Sequence, residues 1–136
     1  MTIQKNTKMT IFERIKNLHL LLIDDDEWIR DSMRLYFEGE GCDLVTLETA
    51  EQAIEMIKNQ SFDIVIADFR LPGINGIEFF KRTQNLHQSF LKILITAYMS
   101  KDVIAEAKQA GVHDLIEKPF KPETIEKSLS HLLSHT

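Results

Sequence analysis

Asp63-Ile-Val-Ile-Ala-Asp68-Phe-Arg-Leu-Pro-Gly-Ile-Asn-Gly76 is the stretch that decides the fold. Its first half, through Ala67, is a short run that is apolar on both sides. A strand with one wet face alternates between apolar and polar residues. A strand that is apolar throughout must be covered on both faces, as in a parallel sheet flanked by helices. The second half contains Leu71-Pro72-Gly73, which breaks regular structure. Asp68 stands between the halves, at the carboxyl end of the predicted strand.

Working outward, residues 18–23, 43–47, 91–95 and 113–116 repeat the short apolar pattern of 63–67. Amphipathic stretches separate them. Residues 27–38 place Ile29, Met33 and Phe37 at helical spacing, and 50–58 do the same with Ala50, Ala53, Ile54 and Ile57. Residues 77–86, 101–110 and 123–133 complete the set. Gly39 and Gly41 follow the first helix and Gly111 the fourth, where helices commonly stop. Five strands alternating with five helices imply parallel pairing, because each return needs a crossover. The expected fold is α/β, a doubly wound five-stranded parallel sheet with five helices. Ligands in such folds bind beyond the carboxyl ends of the strands. Residues 18–136 read as one domain and 1–17 as a polar N-terminal extension. Ile11, Phe12 and Ile15 offer one weak helical turn, so a frayed or loosely docked terminus is expected there. Met9 is an alternative start.

The 136 residues are 43% apolar and 27% charged, an ordinary globular balance. A net charge of −5 argues against nucleic acid as a partner, which needs clustered Lys and Arg, and against an anionic membrane surface. Leu20-Leu-Leu-Ile23 is far too short to span a bilayer. Cys42 is the single cysteine, which excludes an internal disulfide and fits a cytoplasmic location. It reads as a small half-buried residue entering a strand.

Four clusters fall at strand ends on one predicted sheet edge: Asp24-Asp25-Asp26, Asp68, Thr96-Ala97 and Lys118-Pro119. Converging carboxylates repel unless a proton or cation offsets them. An all-oxygen site with room for water suits Mg²⁺. Asp25 and Asp68 are the candidate direct ligands, with Asp24 acting through water. Asp68 is also a candidate nucleophile, since a carboxylate can form an aspartyl-phosphate. The three oxygens of a transferring phosphoryl group need cations and donors. Mg²⁺ would meet one, the Lys118 ammonium a second, and the Thr96 hydroxyl with backbone N–H groups a third. Ala97 leaves room for the group. Each residue alone has a plainer explanation. The triplet suits a helix N-terminus, Asp68 a turn, Thr96 a strand end and Lys118 the solvated surface. Their joint arrival at one edge in the required order does not.

Leu20-Leu-Leu-Ile-Asp-Asp-Asp26, Asp63-Ile-Val-Ile-Ala-Asp68 with Leu71-Pro72-Gly73 and Gly76, Ile93-Leu-Ile-Thr-Ala97 and Glu117-Lys-Pro-Phe120 together resemble the receiver domains of bacterial two-component response regulators. The resemblance runs from about residue 18 to the C-terminus. It implies a flavodoxin-like strand order, 2-1-3-4-5. Asp68 would take a phosphoryl group from a phosphohistidine on a sensor histidine kinase or histidine phosphotransfer protein. Asp24 and Asp25 would be the acidic pair for Mg²⁺, and the Arg70 backbone carbonyl a third protein ligand. Thr96 would be the switch hydroxyl, Lys118 the phosphate-binding lysine, and the Lys118–Pro119 peptide cis. Phosphorylation would reshape the surface around the fourth helix, fifth strand and fifth helix, toward a downstream effector or a homodimer. The domain would be a phosphoacceptor rather than an enzyme.

The resemblance has departures. Leu115 stands where the family usually has Tyr or Phe. Tyr98 and Arg70 are expected to flank the phosphoryl group and slow its hydrolysis. Glu27 replaces a Pro that many relatives carry at the first helical position. Two other functions compete. A haloacid-dehalogenase-like phosphatase would use the Asp-x-Asp of Asp24-Asp25-Asp26, but Trp28 is wrong for it and the later acidic motif is missing. A receiver-like interaction module that is never phosphorylated would typically have lost an acid or the lysine, and this chain keeps them all.

Overall fold

A computed structural model describes residues 10–86 and 88–134. In chain order the elements are α1 (Ile11–Ile15), β1 (Leu20–Ile23), α2 (Glu27–Gly39), β2 (Leu44–Leu47), α3 (Ala50–Asn59), β3 (Ile64–Asp68), α4 (Gly76–Thr83), β4 (Leu91–Thr96), α5 (Lys101–Gln109), β5 (Asp114–Glu117) and α6 (Pro122–Ser134). All strand pairs are parallel, in the order β2-β1-β3-β4-β5. This is the expected doubly wound α/β sheet. No described helix is long and apolar enough to cross a membrane.

The period-two geometry of the strands divides the core in two. Leu21, Ile23, Val65, Ala67 and Leu94 face α3, α4 and α5, where Phe79, Phe80 and Ala107 are fully buried. Leu20, Leu22, Ile64, Ile66, Ile93 and Ile95 face the other way, against Met33 and Phe37 of α2 and Ile125 and Leu129 of α6. Every residue of β1 and β3 is buried, which explains why neither strand alternates. Helix starts follow side-chain caps: Asp26, Thr49, Asn75 and Ser100 each accept a first-turn N–H. Gly41 and Gly111 adopt φ of 82° and 81° just past helix ends.

Three expectations need correction. Six helices are present rather than five, because residues 10–17 form a capped and packed element rather than a frayed terminus. Thr10 Oγ1 accepts the Glu13 N–H at 3.1 Å, and Glu13 accepts the Thr10 N–H at 2.8 Å. This reciprocal capping box starts α1. Ile15 is fully buried in the core between sheet, α2 and α6. Phe12 meets Tyr36 and Phe37 edge-on, with centroids 5.8 and 6.0 Å apart. Arg14 Nη2 donates to the Leu133 carbonyl at 2.8 Å, tying α1 to the end of α6. Met9 lies outside the described residues. The second correction is Cys42, which is fully rather than half buried, with burial pushing its thiol pKa up. The helix expected over 77–86 also stops earlier, at Thr83, where Leu86 closes a turn onto the Thr83 carbonyl at 3.0 Å.

Candidate functional site

Register decides which acids meet. Ile23 of β1 lies beside Ala67 of β3, so Asp24, just past β1, and Asp68, the last residue of β3, stand side by side. Thr96 pairs with Glu117, which delivers Lys118 to the same edge. The Lys118 N–H donates to the Thr96 carbonyl at 2.8 Å, and the Lys118–Pro119 peptide is cis, as expected.

Lys118 bridges the two buried acids. Its Nζ lies 2.9 Å from Asp68 Oδ2 and 3.3 Å from Asp24 Oδ2. Asp24 is fully buried, Asp68 nearly so, and Asp25 is exposed. Asp24 Oδ1 accepts the Asp26 N–H at 2.9 Å. Asp24 Oδ2 is buried and has no aligned hydrogen-bond donor, because the Lys118 contact is an ion pair without hydrogen-bond geometry. Carboxylate oxygens of Asp24, Asp25 and Asp68 lie within 4.8 Å of one another. A buried anionic oxygen short of donors, inside a cluster of three acids, is the environment a hard cation satisfies.

The electrostatics reflect this crowding. Burial pushes Asp24 up to about 6, with the Asp68 charge adding to the rise and the Asp26 N–H and Lys118 opposing it. Asp68 is also raised by burial, while Lys118 and the Arg70 N–H pull it back and Asp25 pushes it up. Burial works against the Lys118 charge, but its Asp68 bond and the charges of both acids outweigh that and hold the ammonium above its ordinary range.

Thr96 and Arg70 both turn toward Tyr98. The Thr96 hydroxyl is turned to the next loop, donating to the Tyr98 carbonyl and accepting the Tyr98 N–H, both at 3.1 Å. The Arg70 backbone stays beside Asp68 while its guanidinium lies 5.4 Å from the centre of the Tyr98 ring. Ala97 lines a cleft of about 490 Å³ beside Lys118, with Trp28, Ile29, Pro119 and Phe120. Arg30 escaped the sequence reading, and Gly76 entered it as a motif residue without a role. Arg30 Nη1 donates to the Asp24 carbonyl at 2.8 Å, fixing the acidic loop from one turn inside α2. Gly76 lets α4 start against the Asp68 backbone, because a Cβ there would lie 2.4 Å from the Asp68 carbonyl oxygen. The spacing of Arg30 carries no signal. Gly76, eight residues past Asp68, could have been read as a close backbone approach.

A family model described as response regulator receiver domain matches residues 20–130. The chain belongs to that family. Among curated relatives of this receiver domain, sporulation initiation phosphotransferase F of Bacillus subtilis is 30% identical over 117 residues, covering 86% of this chain and 94% of the relative. The transcriptional regulatory protein FixJ of Bradyrhizobium diazoefficiens is 30% identical over 107 residues, covering 79% of this chain and 52% of FixJ. The chemotaxis response regulator CheY4 of Vibrio cholerae superposes with a TM-score of 0.79 at 26% identity, covering 85% of this chain and 98% of CheY4. The receiver spans only 30% of another relative, a cyclic di-GMP phosphodiesterase of Thermotoga maritima, and 52% of FixJ. Family membership displaces the phosphatase alternative. The flavodoxin-like order expected from the resemblance is the one observed. Leu115 lies half-buried on β5, packed against the core on the α3–α4–α5 side.

Proposed function

We propose that this receiver domain accepts a phosphoryl group on Asp68 from a phosphohistidine of a sensor histidine kinase or histidine phosphotransfer protein. One observation carries the proposal: Lys118 Nζ bridges Asp68 and Asp24 at a sheet edge where three carboxylates converge. An Asp68 oxygen attacks phosphorus as the phosphorus–nitrogen bond to the donor imidazole breaks, and the imidazole leaves with a proton. Little covalent chemistry is asked of the protein, so positioning and charge do the work. Asp25 and Asp68, with Asp24 through water and the Arg70 carbonyl, would hold Mg²⁺, whose charge offsets that of the transferring oxygens. Lys118 keeps its proton and faces a second oxygen. Thr96 turns from Tyr98 to a third, and Ala97 leaves the space. The shift of Thr96 then passes to α5, β5 and α6, biasing them toward an effector or a second copy. The domain is a phosphoacceptor acting in the cytoplasm, without a substrate turned over in the enzymatic sense.

The test is incubation with Mg²⁺ and acetyl phosphate followed by intact mass. One base-labile phosphoryl group is expected, and Asp68→Asn abolishes it. Failure of the native protein to label would overturn the reading.

A further inference from the structure

We propose that Arg70 and Tyr98 form a clasp that keeps the Thr96 hydroxyl out of the site, and that a phosphoryl group on Asp68 opens it by drawing Arg70 off the ring. The inference rests on Asp68 as phosphoacceptor and concerns how that event is released to the loop after β4.

A hydroxyl has one hydrogen to give. Thr96 gives it to the Tyr98 carbonyl at 3.1 Å while accepting the Tyr98 N–H at 3.1 Å. It can donate to a phosphoryl oxygen only if the Tyr98 backbone lets go. Tyr98 is 65% exposed, so its ring lacks the packing that fixes a core aromatic. The Arg70 guanidinium stacks on this ring at 5.4 Å, so the loop after β3 holds the loop after β4. Both ends of the clasp sit two residues from a reacting or switching group, Asp68 on one side and Thr96 on the other.

The clasp is weak enough to open. A cation over an exposed ring biases an equilibrium only about two- to fivefold. A phosphoryl group on Asp68 brings about two negative charges and three acceptor oxygens. A planar guanidinium matches such oxygens in bidentate fashion, with charge-assisted bonds roughly twice as strong as neutral ones. Arg70 therefore exchanges the ring for the phosphoryl group, the Tyr98 backbone is released, and Thr96 turns inward. Arg70 acts through Tyr98 while the clasp is closed and meets the phosphoryl oxygens once it has opened.

The experiment uses the full chain, with acetyl phosphate and Mg²⁺ as donor and beryllofluoride as a stable mimic. The limiting labelling rate is separated from KM, so that lost attraction for the anionic donor appears in KM alone. Tyr98→Ala should raise the limiting rate about two- to fivefold in the native background, and should change nothing in the Arg70→Ala background, where the clasp is already gone. Tyr98→Phe should match the native protein, because the ring face and not the hydroxyl holds the cation. By NMR, Arg70→Ala should shift the Tyr98 ring signals in the unphosphorylated protein, and beryllofluoride should reproduce that shift in the native one. Additive effects, a Tyr98→Phe variant that behaves like Tyr98→Ala, or a labelled protein whose Tyr98 signals stay put would overturn the clasp alone. Absence of any label on the native protein would overturn both the clasp and the phosphoacceptor reading.

Discussion

Asp24 is a buried acid whose surroundings disfavour its charge. A fully buried carboxylate with one unaligned oxygen holds its proton up to about 6, against an ordinary value of 3.8. Between roughly pH 4 and pH 6 the folded state therefore binds more protons than the unfolded chain, and stability falls as pH rises through that window. Above it the full cost of the buried charge, of order 1–3 kcal/mol, is present. Asp24→Asn removes the charge but retains a carbonyl for the Asp26 N–H. Without divalent cations it should stabilise the domain by about 1–3 kcal/mol at pH 7.5 and leave it unchanged near pH 4. Denaturant midpoints at the two pH values check this, and a gain independent of pH would show that charge is not the cause. Lys118 is the counterpart on the cationic side. Lys118→Ala should slow labelling of Asp68 by acetyl phosphate about 100-fold, the usual effect of deleting one donor to a charged transition state.

At the scale of elements, one contact lies beside the site and one on the opposite face of the sheet. Helix α4 starts against the backbone of Asp68, and Gly76 permits the approach. Gly76→Ala would drive a methyl into backbone rather than into a yielding side chain. The expected cost is about 1–3 kcal/mol in denaturant unfolding, with slower labelling because the Asp68 loop must move. A fully tolerated Ala would mean that α4 shifts freely. Helix α1 packs on the opposite face, against α2 and the end of α6. Five residues are too few to hold a helix alone. Ile15, Phe12 and the Arg14 bond to Leu133 hold it instead. Ile15→Ala should cost about 2–5 kcal/mol, the range for emptying a buried aliphatic site. A loss near zero would return the segment to the status of a loosely docked terminus.

At the scale of the whole molecule, the acid cluster exists only in the folded chain, because its members come from residues 24, 25 and 68 of two separate strand ends. A cation that binds this cluster binds the native state alone. Mg²⁺ at 100 times its Kd should stabilise the domain by about 2.7 kcal/mol. Asp68→Asn should remove most of that increment, and thermal melts with and without Mg²⁺ read it directly. An equal increment in both proteins would place the ion elsewhere.

Much of this was already legible in the chain. The doubly apolar run before Asp68 predicts a covered parallel strand, because local polarity reports how many faces are buried. Acids, Thr96 and Lys118 each follow such a run, so strand periodicity alone sends them to one edge. What neither period nor spacing encodes is contact between side chains far apart in sequence. Burial of α1 depends on Tyr36, Phe37 and Leu133, and its own five residues look like a polar leader's brief apolar patch. The orphaned oxygen of Asp24 follows from the angle at which Lys118 arrives. The turn of Thr96 toward Tyr98, and of Arg70 onto that ring, depends on loop conformation after β3 and β4. The sequence by itself determined the layer order and which residues reach the site, since both follow from local patterns repeated along the chain. Only the tertiary structure decided how those residues face one another, since that depends on distances and angles between elements that no local pattern contains.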